Sequence, residues 1–261
     1  MSYFTQRGAT GPLGFAQTST DANLGTLAGS VFETSDGREF VLVQNAGSAL
    51  AQGKLVQGPA AIANHLGLAT VSNTAIGDTT ITVTLGGTAV TANQYAGGFL
   101  ITTEGTGAGQ TLKIKSHPAQ STTTGNVVIT LEDPIQVATA SASTKASLSL
   151  NPYGSANGAD VTSSGVIICP TTLTGQIIGV SVSPIAASTA TVPSYGFIQK
   201  KGPCAVLNHG GTTIGLNVGN SVSSTPVAGA VETYAAASNT LVGTAVVAGT
   251  DTKYAMVNLN I

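Results

Sequence analysis

The sequence predicts an all-β fold: a compact β-barrel or sandwich core, an inserted small antiparallel β-domain, and an extended N-terminal arm. Three observations predict it. Short segments alternate apolar residues with Thr in strict period two, as in Asp78-Thr79-Thr80-Ile81-Thr82-Val83-Thr84-Leu85, the pattern of a strand with one buried face. Clusters of Gly, Asn, Ser and Pro punctuate these segments. Hydrophobic residues make up 42% of the 261, ample for a core without disulfide or metal staples.

Residues 1–30 are rich in Gly, Thr, Ala and Ser and hold no period. Such a segment cannot bury enough surface to fold alone. Tyr3, Phe4, Leu13 and Phe15, with Arg7, are nevertheless unusual for a mere tail. An arm docked on a neighbouring subunit through these five residues accounts for both facts; a frayed terminus is the alternative. The core is expected from residues 31–68 and 154–261, opening with the strand Arg38-Glu39-Phe40-Val41-Leu42-Val43-Gln44 and an extended piece, residues 50–56, bent at Gly53. Residues 59–68 are the best short-helix candidate, with Pro59 at the start and Gly67 near the end, although a loop fits equally.

Residues 69–153 read as the inserted domain. Its strands are Asp78–Leu85, 98–103, 111–116 and 126–131, and a glycine-rich turn falls at 104–110. The C-terminal part repeats a scheme. Ile178-Gly179-Val180-Ser181-Val182 is followed by Tyr195-Gly196-Phe197-Ile198-Gln199. Val242-Gly243-Thr244-Ala245-Val246-Val247 is followed by Tyr254-Ala255-Met256-Val257-Asn258-Leu259. Each first strand has Gly in second place, and each second strand runs from Tyr to an amide, so two related hairpins are expected.

The search for chemistry excludes more than it finds. Gly105-Thr106-Gly107-Ala108-Gly109-Gln110 puts Gln where a dinucleotide loop needs its third glycine, and a strand follows instead of a helix, so a tight turn is the better reading. His65, His117 and His209 are far apart in sequence and none has a metal-ligand neighbour at the usual spacing. His209, in Asn208-His209-Gly210-Gly211, reads as a turn histidine. No nucleophile elbow is present. No catalytic residue, metal site or cofactor is therefore expected, and the chain reads as non-enzymatic. Cys169 and Cys204 read as buried thiols, with a single bridge left open.

Only 8% of the residues are charged, against about 25% in an average globular protein. With 9 Lys plus Arg against 11 Asp plus Glu, nucleic acid and anionic membrane are not expected partners. A surface so poor in charge points to contacts with other protein chains; a neutral Thr- and Ser-coated monomer is the alternative. Met1-Ser2-Tyr3-Phe4-Thr5-Gln6-Arg7 has no basic region leading into an apolar stretch, so cytoplasmic synthesis is expected.

Several stretches are similar to tailed-bacteriophage capsid decoration (cement) proteins. They are Glu39-Phe40-Val41-Leu42-Val43-Gln44-Asn45-Ala46-Gly47, residues 49–56, Tyr195 through Leu207, and the ending from Val242-Gly243 to Ile261. Within the insert, Tyr95-Ala96-Gly97-Gly98-Phe99-Leu100, residues 107–114 and Leu131-Glu132-Asp133-Pro134 look like a module of such virion proteins. The resemblance implies a protein on the capsid exterior, often a homotrimer between capsomers, with the major capsid protein as partner. It carries over no functional residue, because the family acts through surfaces. A fibre or tail-tube component is a second expectation. A glycan-binding insert using Tyr95, Phe99 and Tyr153 is a third.

Overall fold

The computed structural model describes residues 18–141, 143–154, 164–235 and 239–261. The expected arm residues Tyr3, Phe4, Arg7, Leu13 and Phe15 lie outside them. The fold is all-β, in two units. The core unit comprises Met1–Pro59, Pro152–Gly154 and Val161–Ile261, and the insert Ala60–Asn151 with Ser155–Asp160. The insert therefore begins at residue 60, not 69. The reason is local: Leu68–Ala69 (β4) pairs with Lys145–Ser149 (β9) of the insert, and Leu68 lies in its apolar core. Residues 59–68 hold one 3-10 turn, Ala63–His65, in place of the expected short helix.

In the core, β1 (Val31–Glu33) pairs with β2 (Glu39–Gln44), and β3 (Leu55–Gln57) lies between β10 (Ile167–Ile168) and β11 (Ile177–Ser181). The thirteen-residue β12 (Tyr195–Leu207) organises the rest. Its first half pairs with β2 and its second half with β16 (Tyr254–Asn260), while β11 meets it at Ile198 and Gln199. Beyond β16 come β15 (Leu241–Val247), β13 (Asn217–Asn220) and β14 (Val231–Thr233). The sheet curls until Asn208, just past β12, bridges Val231 of β14.

Burial along β12 changes character. Residues 195–199 are enclosed on both faces apart from a partly exposed Phe197. From Gly202 onward burial alternates, with Cys204 and Val206 inward and Pro203 and Ala205 outward. Segment 18–30 does not continue as an arm. Ser19 exchanges both backbone hydrogen bonds with Tyr195 (3.1 and 2.7 Å), and Gly29 N–H donates to Leu42 O at 2.8 Å. These bonds satisfy main-chain groups of β2 and β12 that the sheet would otherwise leave open.

Both expected hairpins form, β11 with β12 and β15 with β16, and their second strands pair with each other. Their shared glycine has a steric cause. A Cβ on Gly179 would lie 2.7 Å from Gln199 O, and one on Gly243 would lie 2.2 Å from Asn258 O. In each copy the glycine of the first strand meets the carbonyl of the amide residue in fifth place on the second.

The insert is one six-stranded sheet ordered β4, β9, β6 (Phe99–Glu104), β7 (Thr111–Ser116), β8 (Asn126–Leu131) and β5 (Thr80–Thr84). Thr70 bridges Val83, and Val71 N–H donates to Thr82 O at 2.9 Å, which nearly closes the sheet into a barrel. The alternating strands deliver Ile81, Val83, Leu100, Leu112, Ile114, Val127 and Ile129 to its interior.

Replacing Gly243 with Ala is expected to destabilise the core by about 1–3 kcal/mol, the usual cost of forced overpacking. Urea denaturation of the variant measures it; an unchanged midpoint would contradict the steric account.

Candidate interaction surface

Each polar cluster that could carry chemistry is tied into the fold. Gln110, the residue that spoiled the nucleotide-loop pattern, is buried at the foot of the glycine-rich turn. Its Nε2 donates to Gly107 O and Val137 O, both at 2.8 Å, and its Oε1 accepts the N–H groups of Gln136 and Val137, both at 2.9 Å. The side chain uses both donors and both lone pairs on main chain, so it acts as a structural staple.

His65 and His117, distant in sequence, converge on Tyr95, and all three are buried. His65 Nε2–H donates to Thr88 O (2.9 Å), which leaves Nδ1 to accept the Tyr95 hydroxyl. His117 Nδ1–H donates to Pro118 O (2.9 Å), which leaves Nε2 to accept the Tyr95 N–H (3.0 Å). Both imidazoles are thus neutral with fixed tautomers. Burial holds His117 below the ordinary imidazole value, with His65 adding to the effect, and burial pushes the Tyr95 hydroxyl up.

His209 is more than a turn residue. Its Nε2 is 3.1 Å from Ser223 Oγ, and its Nδ1 is 3.1 Å from Asp251 Oδ1 without hydrogen-bond alignment. The residue types follow the order of a charge-relay triad. The surroundings do not: Asp251 is 56% exposed, and its Oδ1 already accepts the Gly210 N–H at 2.9 Å. That N–H, together with His209, holds the Asp251 carboxyl below its usual value. Catalysis by such a triad needs aligned bonds and a water-excluding site with oxyanion donors. The cluster instead fastens the turn after β12 to the β15–β16 turn and to the loop after β13.

Cys169 and Cys204 are free and buried, so no bridge joins them. Desolvation raises the Cys169 thiol to about 11 and the Cys204 thiol to about 12, far from the thiolate form that reacts. Of the aromatics offered for glycan binding, Tyr95 is sealed in the insert, Phe99 is 36% exposed, and Tyr153 belongs to the core unit. They form no common platform.

What remains is a surface. On the outward side of β12, β16 and β15, apolar side chains stand in register: Ala205 opposite Met256, Met256 opposite Val247, and Leu207 opposite Tyr254. Tyr254 is 55% exposed, Val247 49%, Val246 40% and Met256 36%. Two grooves open on this face and meet at Pro203. The first, about 410 Å³, is lined by Tyr254, Ala205, Gly53, Gln52, Val182 and Gln199. The second, about 400 Å³, is polar, with Asp36, Lys201, Asn217, Asn258 and Asn260.

The first groove is a split in the sheet. After Gln199 the neighbouring β11 leaves β12, and that edge is next bonded at Leu207, whose N–H reaches Gly53 O at 2.7 Å. By alternation, the main-chain groups of Lys201, Pro203 and Ala205 point into the split. Gln199 Nε2 covers two of them, donating to Lys201 O (3.0 Å) and Pro203 O (2.9 Å). Pro203 is tolerated in mid-strand because its missing N–H faces this split and not β16. Gly53, with φ at +71°, lets the Tyr254 ring lie against it, since a Cβ there would stand 2.5 Å from the ring. Sequence reading found the bend at Gly53 but not this face, because outward residues of β15 and β16 look like ordinary strand residues until the register is known. Compared with family models, curated proteins and solved structures, the chain matches none.

As pH falls below the ordinary imidazole value, the unfolded chain takes up a proton that folded His117 refuses. The insert is therefore expected to lose stability on acidification, by up to about 1.4 kcal/mol per pH unit for this one group. Thermal melts and Tyr95 amide protection at pH 7.5 and pH 5 measure it; equal stability at both would contradict the neutral-imidazole assignment.

Proposed function

We propose that this chain is a structural virion protein that binds the outer surface of a tailed-phage capsid and reinforces the lattice as a decoration protein. The observation that carries this reading is the outward face of β12, β16 and β15, with half-exposed Tyr254 and Val247 in a chain of which only 8% is charged. An apolar face of this kind marks an interaction site. The similarity of the β2 and β12 segments to cement proteins supplies the kind of partner, the major capsid protein.

The mechanism is mechanical. Each copy bridges neighbouring capsid subunits with modest contact energy, and many copies act together as multivalent ligands do. Outward pressure from packaged DNA then has to break these bridges as well as the capsid's own contacts. No step requires a cofactor, a metal or a catalytic residue.

Purified particles from cells carrying the gene provide the test. The protein is expected on intact virions in a copy number that scales with capsomers, reachable by antibody from outside. Particles lacking it are expected to burst at lower temperature. Its absence from virions, or its presence only on tails, would refute the reading.

A further inference from the structure

The outward face has the form of a receptor, and the chain carries a segment suited to it. Seventeen residues precede the described chain. They contain Tyr3, Phe4, Leu13 and Phe15, one cation, Arg7, and no acidic residue. At their downstream end Ser19 is paired antiparallel with Tyr195. Continuing that ladder would set residue 16 opposite Ile198, but Ile198 and Gln199 already face Ser181 and Val180 of β11. The sheet that anchors residue 19 therefore cannot absorb the residues before it.

The two grooves match this segment in order and in chemistry. Ala205 marks the apolar groove, Lys201 and Asp36 the polar one, and four residues of strand separate Ala205 from Lys201, about 13 Å. Tyr3 and Arg7 are also four residues apart, about 13 Å when extended. A groove of about 410 Å³ falls within the volumes that accept organic ligands, and its Tyr254 wall offers an edge or face to another ring. Asp36 supplies a carboxylate for the guanidinium.

We propose that residues 1–17 of one copy dock on the outward face of a second copy, Tyr3 and Phe4 in the groove beside Tyr254 and Arg7 beside Asp36. From Phe4 to Ser19 an extended chain spans at most about 50 Å, enough to leave one molecule and reach the next. Each copy then gives an arm and receives one, a head-to-tail contact that closes into a ring when the rotation permits. A surface with so few charges supports this source over an arm folded back on its own chain, which would leave a charge-poor monomer in solution. The inference rests on the assembly reading only in treating this face as an interface.

Complementation between two variants tests it without any capsid. One variant lacks residues 1–17 and keeps the face; the other, Ala205→Arg, fills the groove and keeps the arm. Sedimentation velocity is expected to show a multimer for the full chain and a monomer for each variant. An equimolar mixture is expected to form a one-to-one complex. Asp36→Arg is expected to weaken association at least tenfold and Arg7→Asp to restore it, while thermal melts confirm that each variant folds. A monomeric full chain, a multimer without residues 1–17, or a mixture that stays monomeric would each overturn the proposal. Because the readout is self-association, the proposal and the capsid reading fail separately.

Discussion

The core depends on how closely three strands approach β12. At its middle, β11 and β2 press on opposite edges while β16 takes over from β2 at Lys201, which pairs with both Glu39 and Asn260. Such crowding is possible only where no side chain intervenes. Gly179 and Gly243 stand where a carbonyl comes too near for any Cβ, and Gly202, at φ +85°, has Arg38 packed against it. The pairing of the two hairpins through β12 and β16 follows from these approaches.

The same strand produces the surface. Its enclosed first half leaves no outward face, whereas its second half, paired with β16, has one. Where β11 departs, the unpaired edge would be a hazard for unwanted strand addition. Pro203 removes a donor there, and the Gln199 amide occupies two acceptors. The edge is thereby blunted while the apolar side chains beside it stay exposed. In the insert, polar groups play the opposite part: Gln110 and the His65–Tyr95–His117 network are spent on the interior and leave nothing outward.

The sequence was most legible where period and punctuation agree. The strict alternation of 78–85, the run around Phe40 to Val43, and the repeated glycine-plus-amide scheme all correspond to strands, β5, β2 and the two hairpins. Reading failed where the signal was short or depended on distant partners. β4 has two residues, and its membership in the insert is decided by β9, whose Lys-Ala-Ser-Leu-Ser alternation is weak because Ala146 is small. Residues 18–30 have no period, yet main-chain bonds to Tyr195 and Leu42 fix them, and composition does not register such bonds. The convergence of His65 with His117, and of His209 with Asp251, is a property of the closed sheets that spacing along the chain cannot express.

One detail of the core bears on how such a molecule diversifies. The chain leaves the core after Pro59 and returns at Pro152, and at this crossing Gly58 is close enough that a Cβ on it would lie 2.8 Å from Pro152 O. Entry and exit are therefore neighbours, held by core residues on both sides. To the core, everything between them is a closed loop, and the entropy of closing a loop grows only with the logarithm of its length. Ninety-odd residues or a short turn place nearly the same demand on the surrounding strands, about 0.6 kcal/mol for each doubling. The core is thus a socket, and its cargo can be lengthened, exchanged or lost without rewriting the sheet that holds it.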